Sequence, residues 1–257
     1  MCLLVVAWRI HPRYRLVVAG NRDEFHERPT APLDWWADEP QIVAGRDRQA
    51  GGTWLGLARS GRFGLVTNFR EANTAPPGGP SRGRLVPGFL RRSDAAPAFL
   101  DDLSHTASRY SGFNLLVGDA GQLHYYTNVG GERPRSLAPG IYGLSNHQLD
   151  EPWPKLVRTR DRFREALADE DPEPGRLFEL LADRTPTVHA SPPDHALPPD
   201  LERALSAPFV RHDRYGTRCS TIVLTAHDGR TTVLERRFDP AGNQTGATRI
   251  EFEGSAA

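Results

Sequence analysis

A cysteine stands at position 2, at the head of the apolar run Cys2-Leu3-Leu4-Val5-Val6-Ala7-Trp8. Loss of the initiator Met1, usual before a small second residue, would make that thiol the first side chain of the chain. An N-terminal cysteine carries nucleophile and base on one residue, because its own α-amine can take the thiol proton. The two groups have reference pKa values of about 8.5 and about 8, so proton exchange between them costs little. The chemistry this suits is acyl transfer from an amide or thioester.

The elements that must position Cys2 are strands. Cys2–Trp8 and Arg15–Ala19 flank a short turn at His11-Pro12-Arg13-Tyr14, and successive apolar residues predict strands covered on both faces. Further hairpins are expected from Thr53–Arg59 with Phe63–Asn68, from Asn114–Gly118 with Gln122–Thr127, and from Ser220–Ala226 with Thr231–Phe238. Thr245–Phe252 adds a last strand. Helices are predicted over Arg84–Arg91, Ala95–Leu103, Trp153–Leu167 and Pro174–Ala182, with Leu156, Phe163 and Leu167 on one stripe. Thr74–Pro80 and Thr185–Pro199 read as surface loops, and Glu253–Ala257 as a frayed tail. Strands at both ends with helices between them predict a single α+β domain over residues 1–257.

The first hairpin sets a geometric expectation. A turn centred between Pro12 and Arg13 pairs residues whose numbers sum to about 25, so Cys2 faces Asp23 and Leu4 faces Asn21. The tetrapeptide Asn21-Arg22-Asp23-Glu24 then ends beside the cysteine. A carboxylate there would bind the α-ammonium, and a guanidinium would favour thiolate. A register shifted by two would swap the roles within the tetrapeptide.

Met1-Cys2 together with Asn21-Arg22-Asp23-Glu24 resembles the NRDE family, the transport-and-Golgi-organisation protein 2 group. Gly51-Gly52-Thr53-Trp54-Leu55-Gly56, Thr67-Asn68-Phe69-Arg70, Gly112-Phe113-Asn114-Leu115, Gly143-Leu144-Ser145-Asn146 and Tyr215-Gly216-Thr217-Arg218 follow its pattern in order. That family in turn is similar to the N-terminal-nucleophile hydrolases of the penicillin V acylase and bile salt hydrolase branch. The resemblance implies a four-layer αββα sandwich with two packed, mainly antiparallel sheets. It implies Cys2 as nucleophile and Asp23 as its strand-end carboxylate. Asn68 would give a backbone oxyanion donor, Asn146 a side-chain donor, and Arg218 the late arginine. Where those hydrolases place an arginine two or three residues before the aspartate, this chain has Gly20-Asn21, and Arg22 is adjacent to Asp23. Neighbouring strand residues point to opposite faces, which would turn Arg22 from a thiol that Asp23 faces.

Plainer readings stand beside these. Cys219 reads as a small buried hydrophobe, and Arg22 with Asp23 as an ion pair closing a hairpin. Asn68 and Asn146 read equally as turn residues. Trp54, Trp153 and Trp35-Trp36 read as packing, and Gly51-Gly52 as a tight turn or a close backbone approach. The nine histidines show no metal-ligand spacing, so neither metal nor cofactor is expected. The resemblance also carries an alternative: a non-catalytic protein handling haem, lipid or acyl-CoA, with Cys2 as haem ligand.

Composition bounds the rest. With 32 basic and 32 acidic residues, nothing argues for nucleic acid or an anionic membrane. Lys155 is the only lysine, an arginine preference that reads as genome base composition. Two cysteines make no disulfide framework, and no apolar run approaches a membrane span or a signal peptide. The expectation is a cytoplasmic protein acting on a small amide or acyl substrate, its oligomeric state open.

Overall fold

The computed structural model describes residues 2–70, 79–187 and 197–254. Most of the two predicted loops, and the last three residues of the predicted tail, lie outside them. Glu253 itself continues the last strand, and the Gly254 N–H bonds the Gly229 carbonyl at 3.1 Å. The chain divides into two compact units, residues 1–27, 139–227 and 232–250 forming one, and residues 28–138, 228–231 and 251–257 the other.

The first unit is built on a six-stranded sheet. β1 (Cys2–Trp8) and β2 (Tyr14–Phe25) form its opening hairpin. β10 (Gly140–Leu144), β11 (Tyr215–Ala226), β12 (Arg230–Phe238) and β13 (Gln244–Glu253) complete the order β10-β1-β2-β11-β12-β13. Every residue of β1 is buried, as its unbroken apolar run predicts. Leu3, Val5, Ala7, Val17, Ala19, Ile222 and Leu224 share one face. They pack there against helices α3 (Pro154–Ala166) and α4 (Pro174–Leu181), through Leu156, Phe163, Leu177 and Leu181. Each such apolar side chain is worth about 1.5–3 kcal/mol when fully buried. A short α5 (Pro199–Leu205), which lacks a clear apolar stripe in the sequence, precedes β11.

The second unit carries a seven-stranded sheet, β3-β4-β5-β6-β7-β8-β9. Its strands are β3 (Thr30–Trp36), β4 (Glu39–Asp47), β5 (Leu55–Ala58), β6 (Phe63–Asn68), β7 (Phe113–Gly118), β8 (Leu123–Thr127) and β9 (Arg135–Ser136). Helices α1 (Leu85–Leu90) and α2 (Ala96–Ser104) cover one face, with Phe89 and Leu100 fully buried over Ile42, Leu115 and Val117. The α+β class with mainly antiparallel sheets and helices on their faces is therefore as expected.

Two local departures have physical causes. β3 and β4 escape a pattern reading because Pro32 and Pro40 interrupt them, and β3 sits at a sheet edge where a missing N–H is tolerated. β5 starts at Leu55 rather than Thr53, because Thr53 turns aside. Its N–H bonds the Gly83 carbonyl at 2.9 Å and its hydroxyl bonds the Leu55 carbonyl at 2.9 Å. Gly52 permits that approach, since a Cβ there would lie 2.2 Å from the Gly83 oxygen, and Gly51 supplies a positive φ of 75°.

The opening hairpin departs by one residue. Its turn centres on Pro12, so Cys2 pairs with Arg22, Leu3 with Asn21 and Leu4 with Gly20. Arg9 adopts φ 51° and its N–H bonds the Arg15 carbonyl at 2.7 Å. The His11 Nδ1 accepts the backbone N–H groups of Arg13 and Tyr14 at 3.1 and 3.2 Å. This side-chain cap closes an odd-numbered loop that spacing alone does not reveal.

The shift gives Asn21 a structural task. It is wholly buried on the helix-covered face, where its Nδ2 donates to Leu181 O at 2.8 Å and Pro208 O at 2.9 Å. Its Oδ1 accepts the Ser220 hydroxyl at 2.6 Å. Leu181 ends α4, so Asn21 satisfies a carbonyl the helix leaves open. At about 1 kcal/mol per lost bond, Asn21→Ala is expected to cost about 3 kcal/mol of unfolding free energy. Denaturant titration checks this, and a loss well under 1 kcal/mol would refute the clamp.

Candidate active site

Cys2 opens β1, and the ladder places Arg22 directly across from it. Arg22 is in turn paired with Cys219 of β11, so Cys2, Arg22 and Cys219 form one row on one face of three adjacent strands. The expectation that Asp23 faces the sulfur, with Arg22 turned away, is corrected. Arg22 holds the thiol's face, because a one-residue shift of register exchanges the faces of every side chain on the strand. Arg22 is 7% exposed and Cys2 8%. Glu24, two residues along on the same face, lies 3.7 Å from the Arg22 guanidinium.

Asp23 reaches the cysteine by its backbone. Its N–H hydrogen-bonds the sulfur, while its carboxylate accepts the Thr217 hydroxyl at 2.7 Å through Oδ1. Tyr215 donates its hydroxyl to the Asp23 carbonyl at 2.7 Å. Burial pushes the Asp23 carboxyl up to about 6, against the positive charge of the amino terminus, the Thr217 hydroxyl, Lys155 and Arg22. Burial also pushes the Cys2 thiol up, opposed by the amino-terminal charge, the Asp23 N–H and Arg22.

Asn146 follows β10, the strand on the other side of β1. Its Oδ1 accepts the Cys2 backbone N–H at 3.2 Å, so its amide is fixed on the nitrogen that Met1 removal would convert to an amine. Ser145 donates its hydroxyl to the Cys2 carbonyl at 3.1 Å. The loop beyond is pinned by Asp150. Its N–H bonds Gly143 O at 2.8 Å, and its Oδ1 accepts the Gly143 N–H at 2.7 Å.

Arg218 sits on a bulge in β11, between the Thr217–Asp23 and Cys219–Arg22 pairs. An extra residue opposite a regular strand re-aims its side chain. The guanidinium donates to the Phe25 carbonyl at 2.7 Å and is partly buried near Arg22, and both burial and that like charge hold its pKa below the usual arginine range. Cys219 is deeply buried, and burial with Glu235 nearby pushes its thiol well up, so it is a poor nucleophile. Asn68 belongs to the second unit, where it ends β6 opposite Phe113 with its side chain exposed.

The first unit thus gathers Cys2, Arg22, Asp23, Asn146 and Arg218. Ser145 and Thr217 lie inside motifs legible in the sequence, yet their contacts depend on pairing across more than 140 positions of chain. Among the described residues no group of three or more His, Cys, Asp or Glu side chains is arranged to hold a metal ion. No helix among them is long and apolar enough to cross a membrane.

Comparison with known proteins bears on both fold and family. Over 97% of this chain and 91% of the other, the fold is similar to penicillin V acylase from Agrobacterium tumefaciens, with TM-score 0.53 and 11% identity. It is likewise similar to a C2A mutant of the conjugated bile acid hydrolase from Clostridium perfringens, with TM-score 0.52 and 7% identity over 98% and 92% of the two chains. These likenesses show the fold alone, and it is the fold class expected above. Sequence relatives are nearer. The Transport and Golgi organization 2 homologues of Mus musculus and Homo sapiens are each 34% identical, over 92% of this chain and 92% of theirs. The Drosophila melanogaster protein is 26% identical over 98% of both. The family model described as Transport and Golgi organisation 2 matches residues 1–240, and the chain belongs to that family.

Proposed function

We propose that the protein is a cysteine hydrolase acting on a small amide or acyl thioester through Cys2, once Met1 is removed. The observation that carries this reading is the surroundings of one residue. Asn146 lies 3.2 Å from the Cys2 nitrogen, Arg22 is paired across from it, and the Asp23 N–H meets its sulfur. The two structural relatives named above are described as an acylase and a conjugated bile acid hydrolase, the latter solved as a C2A mutant.

The steps follow from these groups. A buried thiol needs a base, and the freed α-amine supplies one on the same residue. The sulfur attacks the substrate carbonyl carbon as its proton passes to that amine, and Arg22 offsets the developing thiolate charge. Asn146 turns its amide donor to the oxyanion, a contribution worth about 3–4 kcal/mol. Collapse breaks the bond to the leaving group, which takes the proton from the α-ammonium. Water then attacks the thioester, gives its proton to the amine, and releases the acid.

Incubation of native protein with a short-chain acyl thioester, read by intact mass, is expected to show two changes. One is the loss of a methionine residue, and the other is a single acyl adduct on Cys2. Cys2→Ala removes the adduct and lowers turnover by about a thousandfold or more. Protein that retains Met1 is expected to be inert, because an amide nitrogen is no base. Persistence of turnover in either form refutes the assignment. A haem-dependent absorption band lost in Cys2→Ala, without acylation, would support the binding alternative instead.

The Asp23 carboxyl yields a stability test. Its folded pKa of about 6 lies above the 3.8 of the unfolded chain, so the native state holds the proton more tightly. Stability from this group is full below pH 4 and is lost as pH rises through 6. Asp23→Asn removes that loss. The variant is expected to exceed the native protein by up to about 3 kcal/mol at pH 8, since a tenfold difference in proton affinity is worth about 1.4 kcal/mol. The difference should shrink toward pH 4. Denaturant titrations at several pH values measure it, and a pH-independent difference would refute the buried carboxylate.

A further inference from the structure

The second unit holds a cavity that the chemistry of Cys2 does not use. Its volume is about 400 Å³, within the range of about 300–1,000 Å³ usual for small-molecule pockets. Asp101 and Ser104 at the end of α2, Tyr126 near the end of β8, and Glu132 and Arg133 of the loop from β8 to β9 line it. All belong to the second unit, and none is among the residues gathered around Cys2.

The framework of the cavity is held by hydrogen bonds. Thr127 donates its hydroxyl to the Phe113 carbonyl at 2.8 Å. Asn128 accepts the Phe113 N–H at 2.8 Å through Oδ1 and donates through Nδ2 to the Ala107 carbonyl at 3.1 Å. Ser104 donates its hydroxyl to the Asp101 carbonyl at 2.7 Å. Gly130 and Gly131, with φ of 79° and 72°, let the loop turn.

Tyr126 is the exception among these walls. It is 5% exposed, and its ring packs in the apolar layer beneath α1 and α2, edge-on to Phe113 at 5.7 Å. Its hydroxyl nevertheless makes no hydrogen bond among the described residues. A buried tyrosine hydroxyl usually has a partner, and one at a cavity wall is satisfied by a polar atom within that cavity. Burial pushes the phenol up from its ordinary value, so it keeps its proton near neutral pH and both donates and accepts.

The charges indicate the class of ligand. Two carboxylates, of Asp101 and Glu132, line the cavity against one guanidinium, of Arg133, and none of the three is ion-paired among the described residues. The last turn of α2 adds to the negative side, because the open carbonyls of a helix end carry partial negative charge. We propose that this cavity binds a small molecule bearing an ammonium group, held by the charges of Asp101 and Glu132 and hydrogen-bonded to the Tyr126 hydroxyl.

The chain has six tyrosines, so ¹³C-tyrosine labelling gives few ring signals, and Tyr126→Phe identifies the one at the cavity. Titration of the whole protein with 1,4-diaminobutane or 4-aminobutanoate is expected to move that signal saturably. Butanoate and 1,4-butanediol, which lack the ammonium group, should leave it in place. The tighter of the two ammonium compounds tells whether a second ammonium or a carboxylate for Arg133 completes the ligand. Asp101→Asn and Glu132→Gln fall at exposed positions and leave the core intact. Each is expected to weaken binding by about tenfold or more, as loss of a charge-assisted hydrogen bond does. The proposal is overturned if neither ammonium compound saturates by about 10 mM, well above the roughly 1 mM of a weak site. It is also overturned if butanediol binds as tightly, or if both variants bind as the native protein does. Cys2 takes no part in this titration, so its failure would leave the hydrolase reading untouched.

Discussion

The pairing of Cys2 with Arg22 is the constraint on which the site depends. An antiparallel ladder admits no intermediate position: either Asp23 or Arg22 stands across from the sulfur, and the other side chain goes to the opposite face. The choice is made about ten residues away, where the His11 ring caps its own turn and Arg9 takes a left-handed conformation. From that turn follow the guanidinium facing the thiol, the carboxamide of Asn21 facing the helices, and the carboxylate of Asp23 meeting Thr217. A tetrapeptide of four polar residues is thereby divided between the face of the sulfur and the face that supports the fold.

That division explains what the sequence makes legible and what it does not. β1 is readable because seven consecutive buried residues leave an uninterrupted apolar run. The helices α3 and α4 show their stripe, with Leu156 and Phe163 fully buried where spacing puts them. Edge strand β3 is hidden by Pro32, and α5 is too short and polar to declare itself. At the site, Cys2, Asp23, Asn146 and Arg218 can be nominated from motifs, but the face each occupies cannot. Faces are set by register, and register here is set by a histidine hydrogen bond and by a bulge at Arg218. Lys155 is conspicuous by its rarity, yet composition assigns that rarity to the genome. Only the structure shows it buried, with its ammonium on the Leu205 carbonyl.

The charges around Cys2 are arranged to be costly and then compensated. Arg22, Asp23 and Lys155 are each under a tenth exposed, and removing ions from water carries a penalty of several kcal/mol apiece. The compensation comes from fixed dipoles and one neighbouring charge: the Thr217 hydroxyl on Asp23, the Leu205 carbonyl on Lys155, and the Glu24 carboxylate beside Arg22. Groups held this way need little rearrangement when a charge appears beside them, the property that the proposed acyl transfer would require.

The second sulfur of the row has its own significance for oxidation chemistry. Cys2 and Cys219 flank Arg22 on outer strands of a three-strand set, so their backbones stand two strand spacings apart, about 9.6 Å. A disulfide tolerates no more than about 7 Å between Cα atoms. The two thiols cannot be cross-linked without unzipping the sheet, and an oxidant reaching Cys2 meets no resolving partner in Cys219. Oxidation therefore cannot lock these three strands together through a bond between Cys2 and Cys219.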